Sequence, residues 1–164
     1  MNKPVDLLYD PTTFVGPLNE SEAKHFEKWL HESGQEEIHF EDSYLQHLKN
    51  FHGGKPGRRY FRTALGTDHV VERFLNFLPS GSNHPLEEYS VEATWSMIDD
   101  RLGKYLMPFA ELFAGDYLCF DFTKGGRPEI VVWFHELSQP NRPHTEFVSK
   151  NFDEFLNLLS DLPS

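Results

Sequence analysis

Residues 108–135 read PFAELFAGDYLCFDFTKGGRPEIVVWFH, and this stretch decides the fold. Three runs rich in apolar and β-forming residues, 109–112, 117–122 and 129–135, are separated by a Gly-Asp turn and a Gly-Gly turn. Short runs of this kind with turn residues between them predict consecutive antiparallel strands. The third run is almost entirely apolar, which predicts a central strand.

Amphipathic segments on both sides of this stretch predict helices. Asn19 is placed to cap a helix over 20–33, and Glu22 completes a capping-box pattern. Apolar residues at helical spacing predict three more helices, over 41–51, 91–103 and 151–162. Ser90 is placed to cap the second of these, and Ser149 or Asn151 the third. A further strand is predicted over 59–63, and 70–78 fits both a helix and a strand, of which the strand is favoured. Strands that cluster between helices predict an α+β domain with a central, largely antiparallel β-sheet flanked by helices.

The composition limits the class of protein. The chain has 164 residues, which is about the length of one domain, and we predict a single domain over 19–164. Residues 1–18 are rich in Pro and Gly, which predicts an irregular N-terminal arm. A formal net charge of −11 argues against nucleic acid or an anionic membrane surface as partner. Cys119 is the single cysteine, which excludes an intramolecular disulfide, and no apolar run is long enough to span a membrane. The sequence therefore predicts a cytoplasmic protein.

Four stretches of the chain, taken together and in their order, indicate a family resemblance. They are a short helix ending in a Gly turn (44–54), a Pro-Phe-Ala strand with a Gly-Asp turn (108–121), a Pro-led β-branched strand (128–136) and a closing helix (149–156). Together they resemble the SUKH superfamily, which contains bacterial toxin-immunity proteins and fungal regulators of cell-wall synthesis. The chain has His-Phe-Glu at 39–41, where the family often has a Leu-Pro pair. The resemblance implies one α+β domain, a protein-binding role and no known catalytic residues.

The spacing of the His and acidic residues gives little support for catalysis or metal binding. No two of the nine histidines lie four residues apart, the spacing that lets one helix present two imidazoles to a metal. His135 and Glu136, with Asp116 and Asp121 on a neighbouring turn and strand, are the best candidates for acid–base chemistry. The same residues suit a turn and solvent-facing strand ends, and this interpretation is favoured. No catalytic residue, metal ligand or cofactor is predicted.

Other conspicuous residues are predicted to be structural. Cys119 alternates with apolar neighbours in a strand, which predicts a buried, unreactive thiol. Trp29, Trp95 and Trp133 fall on faces predicted to be in the core. A basic segment at 51–73 interrupts the acidic chain, and we interpret it as a solvated loop and strand edge, with a small anion-contacting patch as the alternative.

Acidic residues surround the third predicted helix and are the candidate partner-binding residues: Glu87, Glu88, Glu92, Asp99 and Asp100. One interpretation is a solvated acidic face, and the other is a docking surface for a basic protein. Nuclease toxins are basic at their active clefts because they must hold phosphates. An acidic inhibitor would be steered to such a cleft and would compete there with the nucleic acid.

Three hypotheses for the function follow. The leading one is a non-catalytic immunity protein that binds a nuclease-type toxin domain and neutralises it by occlusion. The alternative is a regulatory or scaffold protein linked to the control of cell-wall synthesis. The third is an enzyme or small-ligand binder that uses the region of His135 and Glu136.

Overall fold

The computed structural model of the chain describes residues 5–163. Within them, six strands form an antiparallel sheet in which each strand pairs with its neighbours in chain order. The strands are β1 (Tyr60–Arg62), β2 (Asp68–Phe74), β3 (Leu106–Leu112), β4 (Tyr117–Asp121), β5 (Glu129–Trp133) and β6 (Thr145–Ser149). The sheet is a meander, and the predicted α+β class is confirmed.

Helices precede, interrupt and follow the meander. They are α1 (Glu20–Glu32), α2 (Asp42–Phe51), α3 (Val91–Ile98) and α4 (Phe152–Leu158). The side chains of Asn19, Ser90 and Asn151 each accept a hydrogen bond from a backbone amide in the first turn of the helix that follows, at 2.9–3.1 Å. These three predicted caps are therefore confirmed, and they fix where α1, α3 and α4 begin.

An aromatic cluster packs the sheet against α2 and α4. The fully buried ring of Tyr44 has its centroid 4.9 Å from that of Phe120 on β4 and 5.4 Å from that of Phe152 on α4. Phe109 of β3 stacks on Phe120 with a centroid distance of 4.4 Å. The run that forms β5 is central, as predicted, because it pairs with β4 on one side and β6 on the other.

The C-terminal helix is shorter than predicted. α4 ends at Leu158, and Leu159 has extended backbone angles. Ser160 then exchanges backbone hydrogen bonds with Tyr60, with N–O distances of 2.9 and 3.0 Å. The edge strand β1 takes this segment as a partner, and the pairing satisfies backbone groups that would otherwise be open.

α3 is also shorter than predicted. It ends at Ile98 and continues as the 3-10 turn Asp99–Arg101 instead of reaching residue 103. Two adjacent aspartates at a helix C-terminus are unfavourable, because the helix dipole is negative there. Leu102 beyond the turn is nevertheless buried, so the chain keeps its apolar contact with the core.

The sequence does not predict β6, and it places the end of β2 too late. β6 consists of Thr145–Ser149, in which exposed and buried positions do not alternate regularly. It pairs with β5 through an irregular register between Ile130 and Val131. β2 ends at Phe74, although Leu75 N still donates to Phe109 O of β3 at 2.9 Å.

The N-terminal segment packs on the domain. Residues 1–4 of the predicted arm lie outside the described residues, and residues 5–18 contain a 3-10 turn, Pro11–Thr13. Leu7 is 1% exposed, and its carbonyl oxygen accepts hydrogen bonds from the amides of residues 57 and 58, both at 2.9 Å. The ring of Tyr9 stacks on that of Phe51 of α2, with a centroid distance of 4.6 Å.

Candidate protein-binding site

The acidic residues are positioned by α3 and by the 3-10 turn Glu87–Tyr89 that precedes it. Asn76, which is buried, ties both to the end of β2. Its backbone amide donates to Tyr89 O at 3.0 Å, and its carbonyl oxygen accepts from Val91 N at 2.8 Å. Its side-chain amide donates to Leu86 O at 2.9 Å. The start of α3 is therefore held rigidly against the sheet.

Three of the five candidate partner-binding residues share one groove. The groove has a volume of about 310 Å³ and is lined by Ser80, Glu87, Glu88, Ser90, Glu92, Ala93 and Ser96. Asp99 and Asp100 lie beyond the other end of α3, about 11 Å from Glu92 at the helical rise of 1.5 Å per residue. The structure thus arranges the acidic residues along α3 as a strip and does not gather them into one cluster.

Glu87 differs from the other four because its carboxylate is already in use. It accepts hydrogen bonds from the amides of Gly81 and Ser82, the latter at 3.3 Å. These bonds hold the loop that forms one wall of the groove. Glu87 therefore shapes the groove, and the two loop amides partly neutralise the negative charge of its carboxylate.

The remaining four carboxylates, of Glu88, Glu92, Asp99 and Asp100, are exposed and form what we call the acidic strip. Among residues 5–163, none of the four has a side-chain hydrogen bond or a salt bridge. The neighbouring base Arg101 points elsewhere, since its Nη1 donates to a carbonyl oxygen at 2.9 Å and its guanidinium lies 5.0 Å from the Trp133 ring centroid. The negative charge of the strip is therefore uncompensated.

An exposed tryptophan of α1 packs against Trp95 of α3, and here one prediction is wrong. Trp95 and Trp133 are buried as predicted, but Trp29 is 49% exposed. The Trp29 ring lies almost perpendicular to that of Trp95, at 81° with centroids 5.4 Å apart, and stacks at 6.1 Å on Phe26. At 100° per residue, Trp29 is about 90° from the centre of the buried stripe of α1, and this offset was a signal against a core position.

The candidate acid–base region contains one hydrogen-bonded pair. Asp116 Oδ1 lies 2.7 Å from His135 Nδ1 and accepts from the His135 amide at 3.0 Å. Glu136 is exposed and lies 3.8 Å from His135 Nε2. Asp121 is at the other end of β4 and accepts instead from Thr123. In the described part of the chain no hydroxyl or thiol bonds to the His135 ring, so the pair mainly fastens the turn before β4 to the end of β5.

The remaining candidates have structural explanations. Cys119 is fully buried, and burial raises the pKa of its thiol well above the ordinary value, as expected of an unreactive cysteine.

Between residues 5 and 163, no group of three or more His, Cys, Asp or Glu side chains is arranged to hold a metal ion. Across the same residues, no helix combines the length and the apolar character that crossing a membrane requires.

The basic segment at 51–73 agrees with a solvated loop and strand edge. Arg62 and Asp68 form an exposed pair with an N–O distance of 2.7 Å. The guanidinium of Arg73 lies over the ring of Tyr89, 4.0 Å from its centroid. Arg62 and Arg73 are therefore engaged with their own neighbours, which leaves them less free to contact an anion.

An antiparallel meander with helices on its flanks is the architecture that the resemblance to the SUKH superfamily implies. The family model described as SMI1-KNR4 cell-wall (SUKH_6) matches residues 34–156, and the chain belongs to this family. The match includes all five candidate partner-binding residues, whereas α1 lies before it. No curated protein and no solved structure is significantly similar to the chain. Membership supports a role of the immunity or Smi1/Knr4-like regulatory kind, and such domains are generally non-enzymatic.

Proposed function

We propose that this protein is a non-catalytic immunity protein that binds a basic, nuclease-type toxin domain and covers its active cleft. The observation that carries the proposal is the acidic strip: four exposed carboxylates on α3 and on the 3-10 turns at its two ends, none of which has a partner among the described residues. Uncompensated charge of one sign on a rigid surface attracts a surface of the opposite sign. Family membership supplies the protein-binding context.

The position of two of these carboxylates supports an external partner. Asp99 and Asp100 follow the C-terminus of α3, where the helix dipole disfavours negative charge, and the last turn of α3 contains no base. Their charges therefore cost a few tenths of a kcal/mol each in the isolated protein. A bound basic surface would make the two charges stabilising instead of destabilising, because each carboxylate would then have a cation beside it.

The mechanism that fits this geometry is steering followed by occlusion. The strip would raise the rate of encounter with a basic cleft through long-range attraction. Once docked, its carboxylates would occupy positions that the cleft provides for phosphates, so that nucleic acid could not enter. No bond is made or broken, which is consistent with the non-enzymatic character of the family.

The test is co-expression with the C-terminal domain of the protein encoded next to this one, as the candidate toxin domain. The strip variant carries Glu88→Gln, Glu92→Gln, Asp99→Asn and Asp100→Asn. The control variant carries Glu36→Gln, Glu37→Gln, Glu136→Gln and Asp161→Asn, which removes the same net charge from exposed acids elsewhere. We expect wild type and control to rescue growth, and the strip variant to bind at least 100-fold more weakly.

Two results would count against the proposal. If the wild-type protein neither rescues growth nor binds that domain, the immunity function is wrong. If strip and control variants weaken binding equally, net charge matters and the acidic strip is not the interface.

The second candidate is a regulatory or scaffold protein linked to cell-wall synthesis, and the cell-wall description of the matching family favours it. Its partner would be a cellular protein. A pull-down from the native cell, with the strip variant as the bait in parallel, separates the two functions. A cell-wall synthesis protein retained by wild type and lost by the strip variant would support regulation, and a neighbouring toxin would support immunity.

A further inference from the structure

We propose that Trp29 and Trp95 anchor this binding surface, and that the surface takes an arginine side chain of a basic protein. In this arrangement the guanidinium stacks on the exposed ring of Trp29 and pairs with carboxylates of the acidic strip. The inference rests on the proposed function, because it specifies the partner chemistry of the same surface.

The first observation is an aromatic pair that joins two helices and exposes one of its two rings. Trp29 of α1 is 49% exposed, and Trp95 of α3 is 7% exposed. The two rings meet edge to face at 5.4 Å, and Phe26 packs at 5.9 Å from Trp95 on the inner side. Trp29 is thus supported from below by two aromatic rings. A rigid aromatic side chain of this kind costs little entropy when a partner covers it.

The second observation is the position of the strip relative to Trp95. Glu92 lies three residues before Trp95 on α3, so its exposed carboxylate is one helical turn away, and Asp99 follows the last residue of the helix. At 100° per residue Glu92 lies about 60° from Trp95, on the side away from the buried Val91 and Ile98. The aromatic pair is therefore flanked by negative charge.

The third observation is a polar group without a partner. The Nε1 of Trp95 is buried and has no hydrogen-bond acceptor among the described residues. Trp133, in contrast, donates from its Nε1 to Arg101 O at 3.1 Å. Buried indole N–H groups usually have an acceptor. The Trp29 ring packs against that of Trp95, so a shift of Trp29 on binding would let a backbone carbonyl of the partner accept from this N–H.

The first two observations favour arginine over lysine. A guanidinium is planar, so it can stack on the indole of Trp29 while its N–H groups pair with a carboxylate beside the ring. An ammonium group can pair with the carboxylate but does not stack in this way. A surface defined by charge alone would not distinguish the two.

The experiment follows the three indole N–H signals in ¹H–¹⁵N spectra of the intact protein, titrated at low salt with acetyl-hexaarginine amide or acetyl-hexalysine amide. We expect the signals of Trp29 and Trp95 to shift and that of Trp133 to stay. We expect the arginine peptide to bind about fivefold more tightly than the lysine peptide. Trp29→Ala should weaken binding of the arginine peptide about fivefold, monitored on Trp95, whereas Phe147→Ala, on a ring that is 45% exposed on β6, should not.

The outcomes separate this inference from the proposed function. Equal affinity for both peptides, or no effect of Trp29→Ala in a variant whose urea unfolding shows it to be folded, would overturn the anchor. If the neighbouring toxin domain then still binds through the strip, the proposed function stands alone. If the toxin domain does not bind but arginine selectivity at Trp29 is observed, the immunity function fails and the arginine site remains.

Discussion

At the residue scale, the fold keeps three histidines in surroundings that disfavour their charged form. The ring of His47 packs between those of Phe51 and Phe74, with Tyr9 Oη 2.6 Å from its Nε2. Burial lowers the pKa of His47 to about 4, since desolvation destabilises the imidazolium. Burial also lowers the pKa values of His52 and His69.

The first prediction concerns His47 and pH. An unfolded His47 binds a proton as the pH falls through about 6.5, whereas the folded one does so only near pH 4. The free energy of unfolding should therefore fall as the pH is lowered, with His47 alone contributing a loss of about 1 kcal/mol between pH 7.5 and 5.5. Urea unfolding across this range should show that the free energy of unfolding depends less on pH for His47→Gln than for wild type. The same change at His25, which is exposed on α1, should leave the dependence as it is, and equal slopes for wild type and His47→Gln would contradict the prediction.

At the element scale, the N-terminal segment acts as part of the core although it has little regular structure. The second prediction compares two neighbouring leucines. Leu7 is 1% exposed and Leu8 is 47% exposed. We expect Leu7→Ala to lower the free energy of unfolding by about 2–5 kcal/mol because it leaves a cavity. Leu8→Ala should change it by no more than about 0.5 kcal/mol. Urea denaturation measures both, and similar values would mean that the segment is not packed as described.

A second link between elements is made by Arg127, in the turn between β4 and β5. Its guanidinium contacts Glu41 before α2 at 2.8 Å and Asp153 of α4 at 2.5 Å. The third prediction is that Arg127→Ala lowers the free energy of unfolding by about 1 kcal/mol at low salt, since one side chain joins two helices. The difference should shrink in 0.5 M NaCl, because salt screens exposed pairs. Lys124→Ala, which breaks a local exposed pair with Glu129, is the matched control and should cost less.

At the scale of the whole molecule, charge is the property most closely connected with the proposed function. The net charge of −11 gives a diffuse negative field, and the acidic strip concentrates charge on one surface. The fourth prediction is that the rate of association with the neighbouring toxin domain falls at least tenfold between about 20 and 500 mM NaCl, because screening removes steering. Stopped-flow measurements test this. The dissociation rate should change much less, and an association rate that does not depend on salt would contradict steering.

The sheet was predictable because its strands are encoded locally. The stretch over 108–135 alternates apolar runs with Gly turns, and it folds as the sequence indicates. β6 and the end of α4 were not predictable in this way. β6 is a strand because β5 offers it an open edge, and α4 stops because Ser160 pairs with Tyr60. Both depend on partners that are distant in the sequence.

Some features of the candidate site could likewise be predicted from the sequence, and others could not. The acidic residues around α3 could be named from the sequence, since charge and helical position are local properties. That Glu87 binds the 81–82 loop amides, and that Trp29 covers Trp95, could not be read from the sequence, because these contacts need the folded loop and the packing of α1 on α3. The exposure of Trp29 decides whether the strip has an aromatic anchor.

The sequence by itself determined the class of fold, the family, the acidic character and the placement of the helix caps, because each depends on neighbouring residues or on composition. Only the tertiary structure decided which carboxylates remain without a partner, that the N-terminal segment joins the core, and that Trp29 and Trp95 meet at the surface. These features depend on contacts between residues far apart in the chain, and such contacts exist only once the sheet and its helices have packed together.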